Sequence, residues 1–446
     1  MKIGIIDAEI IGKSKHRFPN LVCMKISSYH KSKGDSVTLL LDYDSVDDYD
    51  RVYISKVFTD TEIPCEPVDK TGKSCDTIKE WYADNPFLKR PNIEYGGTGF
   101  YYRDAPPLPD VIEHSFPDYH LYDEWVEMCI EKAVSKDDMD EDEYIAKCKR
   151  IARQFEYYTD YSIGYLTRKC FRGCKFCVNG NYKKVESASP LSEFMDITRP
   201  KLCFLDDNFF GYPCWKELIE PVIQSGKRFQ FKQGLDERLL TADKISAMAK
   251  WKYDNEMIFA FDNIKDKELI ISKLKLIREV APNWKRELKF YVFCGFDRAD
   301  VWDDKFWEQD IRDLFERITI LRAYGAKPYV MRYERVYDSE YAPFYAAVAS
   351  YCNQPSMFTS FSFRLFCQCR GMRKEGYKKY KRDIDAYLKN VGFKGSEWRS
   401  MEAIAERFPD IAYRYFDINS ESDLSEWVNG TAPASRSEWL AKLLEV

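Results

Sequence analysis

The segment Cys170-Phe171-Arg172-Gly173-Cys174-Lys175-Phe176-Cys177 directly follows an apolar run, Tyr161–Arg168, that is typical of a buried β-strand. Three thiolates at this C-x3-C-x2-C spacing can reach three irons of a cubane iron–sulfur cluster and leave the fourth iron without a protein ligand. Substrate-like ligands bind at open positions of this kind in catalytic metal sites. Taken alone, the spacing also fits a zinc site lacking its fourth ligand, or chance. The nearest histidines, His114 and His120, do not lie at zinc-finger spacing.

Strand-like and helix-like segments alternate from Tyr161 onward. Six strands with helices between them fit an α/β fold of the (β/α)6 partial TIM barrel type, in which chemistry lies on loops after the carboxyl ends of the strands. The predicted strands are Tyr161–Arg168, Lys201–Asp207, Arg228–Gln233, Met257–Asp262, Leu288–Gly295 and Lys327–Arg332.

The segments on either side of the barrel complete the predicted organisation. Residues 1–121 predict a small Rossmann-like domain, with three short strands and one helix in the order strand, helix, strand, strand. Residues 122–160 predict a helical connector, 161–337 the partial barrel, and 338–446 a helical C-terminal region. The predicted elements of the first domain are Lys2–Asp7, Asn20–Lys33, Ser36–Leu41 and Arg51–Ser55.

Composition excludes several broad classes of protein. The 446 residues are 45% hydrophobic and 16% aromatic, which is too apolar for a disordered chain. With 68 basic against 73 acidic residues, the formal charge of -5 argues against a general nucleic-acid or membrane-surface binder. The short apolar N-terminus ends at Asp7 and no long apolar stretch follows, so the sequence predicts a cytoplasmic protein with no membrane partner.

The cysteine motif, with Phe176 before its last cysteine, resembles the radical S-adenosylmethionine (SAM) superfamily from Tyr161 to Tyr337. The resemblance implies a [4Fe-4S] cluster on Cys170, Cys174 and Cys177, with SAM on the open iron. It also implies an electron donor such as flavodoxin or ferredoxin, and a 5′-deoxyadenosyl radical that takes hydrogen from an unidentified substrate. Methyl or methylthio transfer to RNA or a small molecule is an alternative within this class. A non-catalytic iron–sulfur or redox-sensing protein is an alternative outside it.

Polar residues after the predicted strands are the candidates for the rest of the site. Asp206-Asp207-Asn208 stands where the superfamily has a Gly-Gly-Glu-like segment that contacts the methionyl amino group, and we favour Asp207 for that contact. A helix N-cap with a surface acid is the alternative there, and a local ion pair is the alternative for Asp236 and Arg238. For Cys294 a buried strand cysteine is the favoured interpretation, and a substrate-side thiol is the alternative. The full set of cofactor-binding candidates is Phe176, Asp206, Asp207, Asn208, Gln233, Asp236, Arg238, Cys294 and Gly295, with Asp262 and Arg332 on the substrate side.

The N-terminal domain resembles the cobalamin-binding domain that precedes the barrel in some members of the superfamily. Those domains carry a D-x-H-x-x-G loop whose histidine binds cobalt, and the matching loop here is Asp7-Ala8-Glu9-Ile10-Ile11-Gly12. Glu9 replaces the histidine and His16 lies at the wrong offset, so the sequence argues against cobalamin. It predicts instead a degenerate domain that serves as scaffold or substrate clamp.

Two features near the C-terminus leave further alternatives open. Cys367 and Cys369, with Cys352 upstream, supply three ligands for an auxiliary cluster, but apolar packing is the favoured interpretation. The basic and aromatic stretch Arg373–Arg382 is either a solvated helix face, which we favour, or a contact for a nucleic-acid substrate.

Overall fold

A computed structural model describes residues 1–13, 15–66, 78–134, 140–180, 182–297, 299–370 and 395–418. The chain divides into two compact units: Met1–Gln233 with Lys252–Asp254, and Gly234–Trp251 with Asn255–Val446. The four-part division predicted from the sequence stays a prediction, and the stretch Arg373–Arg382 lies outside the described residues.

The secondary-structure elements are numbered in chain order. The strands are β1 Lys2–Asp7, β2 Ser36–Leu39, β3 Arg51–Ser55, β4 Ile93–Gly96, β5 Tyr161–Gly164, β6 Thr167–Arg168, β7 Glu186–Ser187, β8 Lys201–Phe204, β9 Arg228–Phe231, β10 Met257–Ala260, β11 Leu288–Cys294 and β12 Lys327–Arg332. The helices are α1 Ala8–Gly12, α2 Leu21–Ser32, α3 Ile78–Ala83, α4 Thr98–Tyr101, α5 Asp110–Glu113, α6 Asp123–Ala133, α7 Glu141–Ala152, α8 Glu156–Thr159, α9 Trp215–Gln224, α10 Ala242–Lys250, α11 Lys267–Val280, α12 Asp304–Ala323, α13 Glu334–Tyr337, α14 Ala342–Cys352, α15 Pro355–Ser360, α16 Phe363–Arg370, α17 Ser396–Arg407 and α18 Pro409–Tyr415.

The first unit begins with a four-stranded parallel sheet in the order β2-β1-β3-β4. β1 is central and apolar on both faces, so Ile3, Ile5 and Ile6 are completely buried. Helix α2 begins after Asn20, whose side-chain oxygen accepts the Val22 N–H at 3.1 Å as an N-cap. The buried face of α2 and β1 share one apolar cluster, which anchors the helix on the sheet.

Strand β4 is an element that the sequence does not predict. It is four residues long and carries Glu94, so it shows too little periodicity to be recognised. Gly97 follows it with φ +108°, and a Cβ there would lie 2.3 Å from the Lys56 carbonyl oxygen. The close approach of these two backbone segments therefore requires glycine.

A second parallel sheet in the first unit has the order β5-β8-β9. Its register pairs Ile163 with Cys203 and Cys203 with Gln230. Gly164 and Phe204, the last residues of β5 and β8, lie opposite each other. The loops that leave these two strands therefore start side by side.

The predicted strand Tyr161–Arg168 is wrong in its second half. Regular pairing in the parallel sheet stops at Gly164, and Thr167–Arg168 instead forms β6, which pairs antiparallel with β7. The backbone leaves the sheet because the N–H groups of Leu166 and Thr167 donate to the Asp206 carboxylate. That contact spans about forty residues and cannot be read from local periodicity.

The second unit contains a three-stranded parallel sheet in the order β10-β11-β12. Helix α12 carries Arg317, which is almost fully buried and donates to the carbonyl oxygens of Phe261 and Phe293, both at 2.9 Å. The later helices pack through aromatic rings, with Phe363 5.2 Å from Phe315 and also 5.2 Å from Phe416. The helical character predicted for residues 338–446 is thus present in α14 to α18 of the described residues.

The described chain is a mixed α/β protein with parallel sheets and many helices. All six strands predicted for the barrel occur, although most end one to four residues earlier than predicted. Three belong to each unit, and closure into one partial barrel stays a prediction. Within the described ranges, no helix is both long enough and apolar enough to cross a membrane.

Candidate metal centre

The three motif cysteines lie in the loop between β6 and β7 of the first unit, and each is partly exposed. The Cys177 N–H donates to the Cys174 carbonyl oxygen at 3.0 Å, which closes a tight turn around the last two cysteines. Gly173 precedes this turn with φ +57°. Burial raises the pKa of the Cys177 thiol, and the charges of Cys170 and Asp207 raise it further.

Hydrogen bonds reach two of the motif sulfurs. The Asn179 N–H lies 3.5 Å from Cys177 Sγ, and Asn208 Nδ2 lies 3.5 Å from Cys170 Sγ. Donors aimed at sulfur stabilise thiolates and the sulfur ligands of iron clusters. Asn208 is a predicted residue, whereas Asn179 was not singled out, although its place two residues after the last cysteine could have suggested it.

Asp206 ties the carboxyl end of β5 to that of β8. It is completely buried and accepts hydrogen bonds from Leu166 N–H at 3.1 Å, Thr167 N–H at 2.7 Å and Thr167 Oγ1 at 2.7 Å. Burial raises the pKa of Asp206 to about 7, although the Thr167 and Leu166 donors oppose the rise. This carboxylate therefore sets the path of the chain into the cysteine loop.

Asp207 holds the cysteine loop at both ends. One oxygen accepts the Lys169 N–H at 2.9 Å and the other accepts Asn179 Nδ2 at 3.0 Å. Burial raises the pKa of Asp207. Neither Asp206 nor Asp207 forms the surface N-cap of the alternative interpretation, because both accept donors from the chain that leads into the cysteine loop or from the loop itself.

The donor set of this loop fits a cluster held by three thiolates. The loop supplies three cysteines, amide groups donate to two of their sulfurs, and Asp207 holds the ends of the loop. Three thiolates are the ligands of a [4Fe-4S] cluster with one open iron. Within the described residues, no three His, Cys, Asp or Glu side chains converge into a group that could hold a metal ion. The assignment of the three cysteines as ligands therefore stays a prediction.

The remaining candidates are placed as follows. Phe176 is partly buried in the cysteine loop and Gln233 is exposed two residues after β9, both in the first unit. The others belong to the second unit, and their roles toward a cofactor or substrate stay predictions. These residues are Asp236, Arg238, Asp262, Cys294, Gly295 and Arg332.

Asp236 and Arg238 form a local ion pair, which is the alternative interpretation of this segment. Arg238 Nε lies 2.7 Å from Asp236 Oδ1, and Asp266 is 3.6 Å from the same guanidinium. The charges of these two predicted residues thus already have partners within the segment.

The residues after β10 and β11 are engaged within their own unit. Asp262 accepts the Phe293 N–H at 3.1 Å, and Gly295, with φ +77°, donates its N–H to Asp310 at 3.0 Å. Cys294 is buried, its Sγ lies 3.4 Å from the Met331 carbonyl oxygen, and burial raises its pKa. These contacts match the favoured interpretation of Cys294 as a buried strand cysteine. The guanidinium of Arg332 lies over the ring of Tyr337 at 4.8 Å.

Glu237 gives the second unit a testable dependence on pH. It is 2% exposed and accepts the Ala260 N–H at 3.1 Å, and burial followed by the charge of Asp236 raises its pKa to about 8 from the ordinary 4.5. The folded state therefore keeps a proton that the unfolded chain loses between pH 4.5 and about 8, so this group's contribution to stability falls as pH rises through that window.

Glu237→Gln keeps an acceptor and cannot ionise, so we expect a smaller fall in melting temperature between about pH 5 and about pH 8 than in the parent. Thermal denaturation at several pH values measures this difference, with the exposed Glu334→Gln as the matched control. If the melting temperature falls with pH equally in the parent and in Glu237→Gln, Glu237 is ionised in the folded protein over this whole pH range.

The residue at the position of the cobalt-binding histidine is Glu9, which is held by hydrogen bonds within the domain. Glu9 is almost completely buried, and its Oε1 accepts the N–H groups of Val57 at 3.0 Å and Phe58 at 3.1 Å and the Thr61 hydroxyl at 3.1 Å. His16, the nearest imidazole in sequence, hydrogen-bonds through Nε2 to the Phe18 carbonyl at 2.6 Å. Glu9 thus fastens the loop after β3 to helix α1, and the scaffold role of this domain stays a prediction.

The alternative auxiliary cluster finds no support among the described residues near the C-terminus. Cys352 and Cys367 are buried, and the adjacent rings of Tyr351 and Phe366 lie 5.3 Å apart. Burial raises the pKa of both thiols above their ordinary value, which disfavours the thiolate form that iron requires. The side chain of Cys369 lies outside the described residues.

Comparison with known proteins finds structural likenesses alone. No protein-family model and no curated protein matches the sequence. One similar structure is the radical SAM methyltransferase TsrM from Kitasatospora setae, solved with cobalamin and a [4Fe-4S] cluster bound, at 10% identity, 74% coverage of both chains and a TM-score of 0.44. Another is OxsB, a cobalamin-dependent SAM radical enzyme, at 10% identity, covering 100% of this chain and 82% of that chain with a TM-score of 0.39. At these values neither likeness carries an argument about the chemistry of this chain.

Proposed function

We propose that this chain is a radical SAM enzyme that holds a [4Fe-4S] cluster on Cys170, Cys174 and Cys177 and cleaves SAM reductively. The observation that carries the proposal is the cysteine loop itself, which connects the antiparallel strands β6 and β7 shortly after the parallel strand β5 and is fastened at both ends by Asp207. Chance cysteines in a surface loop would not explain why Asn179 and Asn208 donate to their sulfurs. The closing of six strands into one partial barrel is part of this proposal.

When bound, a [4Fe-4S] cluster with an open iron supplies one electron to the SAM sulfonium, so that the S–C5′ bond breaks into methionine and a 5′-deoxyadenosyl radical. The chain's own residues bind and orient. Asn179 and Asn208 donate to the ligand sulfurs, and Asp206 and Asp207 hold the loop ends. Hydrogen transfer from the substrate to the radical would then give 5′-deoxyadenosine and a substrate radical. A flavodoxin or ferredoxin as reductant belongs to the same proposal.

Anaerobic reconstitution tests this function. The full chain is treated with iron and sulfide, then given SAM with or without dithionite, and 5′-deoxyadenosine is measured by mass spectrometry. We expect broad visible absorbance from the cluster and cleavage that depends on dithionite. A cluster without any cleavage would identify a non-catalytic iron–sulfur protein, and tight zinc binding without a cluster would identify a structural zinc site.

The same preparation tests the cobalamin proposal. Because position 9 carries no histidine and Glu9 is engaged by three donors from the loop after β3, we propose that the N-terminal domain does not bind cobalamin. The purified protein incubated with hydroxocobalamin and then desalted should show no corrin absorbance. Retained corrin would overturn this part of the proposal and favour the methyl-transfer alternative.

A further inference from the structure

We propose that Arg103 and Tyr102 are positioning residues that brace the turn Lys175–Cys177 and tune the cluster bound there. This inference rests on the proposed function and extends it to residues outside the motif. The pair lies more than seventy positions before the residues that it contacts, in a stretch where the sequence pattern is weak and singles out neither residue.

The two side chains reach three successive carbonyl oxygens of the cysteine turn. Arg103 Nε donates to the Cys177 oxygen at 2.9 Å, and its NH2 group donates to the Lys175 oxygen. The Tyr102 hydroxyl lies 3.5 Å from the Phe176 oxygen between them. A guanidinium holds two acceptors in a fixed fork, so Arg103 restrains the relative position of two peptide groups as a lysine could not.

The backbone conformation supports a dedicated role for this pair. Tyr102 has φ +49° and ψ -117°, in a region that a bulky L-residue rarely adopts. A residue persists in such a conformation where its surroundings determine it, and this often marks a functional site. Here the conformation occurs at the residue that begins the short 3₁₀ turn Tyr102–Asp104, from which both side chains reach the cysteine turn.

The charge of Arg103 acts on the same atoms. Lys169, a loop cation, is bound to Glu186 at 2.7 Å, so part of its charge is already balanced. Arg103 brings a guanidinium from outside the loop to the carbonyl of a ligand residue. A positive charge beside the cluster would favour its reduced state, which carries one more negative charge, over the oxidised state.

Three variants of the full chain separate the bracing effect from the charge effect. Arg103→Gln removes the charge and the fork, Arg103→Lys keeps the charge and removes the fork, and Tyr102→Phe removes the hydroxyl alone. Arg90→Gln, at an arginine paired with Asp47 in the same unit, is the matched control. The measurements are iron loss to a chelator and the cluster's midpoint potential in a redox titration followed by electron paramagnetic resonance.

We expect Arg103→Gln to lose iron roughly fivefold faster and to shift the midpoint potential to more negative values. Arg103→Lys should have a midpoint potential close to that of the parent but lose iron faster. Tyr102→Phe should leave the potential unchanged and speed iron loss by a smaller factor. Iron loss and potential unchanged in Arg103→Gln would overturn the inference, since a remote surface arginine would behave like Arg90.

A readout in the metal-free protein separates this inference from the proposed function. Hydrogen exchange of the Cys177 amide, which is protected by the Cys174 carbonyl, should be faster in Arg103→Gln than in Arg90→Gln. If neither the parent nor any variant acquires a cluster, the proposed function fails. The exchange rate of the Cys177 amide still tests whether Arg103 braces the turn. Equal exchange in both variants would overturn it.

Discussion

Cys174→Ala is expected to abolish both the visible absorbance of the reconstituted cluster and the formation of 5′-deoxyadenosine. Two thiolates cannot ligate three irons. The fold should persist, because the contact that Cys174 makes with the Cys177 N–H uses its backbone oxygen, which alanine keeps. Absorbance, iron content and product measured on the same preparation check this result.

The matched control for Cys174→Ala is Cys214→Ala, which removes an exposed cysteine of the same unit. It should reconstitute and cleave SAM like the parent. Cleavage retained in Cys174→Ala would refute the ligand assignment. Loss of the cluster in Cys214→Ala as well would show that reconstitution is sensitive to thiol number and not to the motif.

Asp206→Ala is expected to cause the largest loss of stability in the first unit. It leaves three buried donors unsatisfied, namely the N–H groups of Leu166 and Thr167 and the Thr167 hydroxyl. At about 1–3 kcal/mol for each unsatisfied group, partly relieved by relaxation, the free energy of unfolding should fall by about 4 kcal/mol. Thermal denaturation of the apoprotein should show a melting temperature roughly 10 °C lower.

Removing the Asp206 carboxylate should also impair cluster binding, because its hydrogen bonds to Leu166 and Thr167 set the path of the chain from β5 into the cysteine loop. We expect poor reconstitution in Asp206→Ala and partial recovery in Asp206→Asn, which keeps one acceptor oxygen. The exposed Asp123→Ala serves as the control for carboxylate removal. A parent-like melting temperature in Asp206→Ala would show that the hydrogen bonds of the Asp206 carboxylate do not stabilise the first unit.

The local sequence pattern predicts those features that depend only on neighbouring residues. The alternation of apolar segments predicted the strands of both units, and the placement of three cysteines after one of them predicted the candidate loop. Ends of elements were less accurate. Strand pairing stops at Gly164 because Asp206 captures the next N–H groups, and the four-residue strand Ile93–Gly96 is too short to show a period.

The sequence by itself determined the main strands and helices and the place of the three cysteines after one of those strands, since each depends on neighbours within a few positions. Only the tertiary structure decided that Asp206 and Asp207 hold the loop, that Glu9 fastens the loop after β3, and that Arg103 contacts the cysteine turn. These contacts join residues about forty to more than seventy positions apart. Such pairs become neighbours only when the chain folds and brings distant segments together, and no local periodicity records which distant partners will meet.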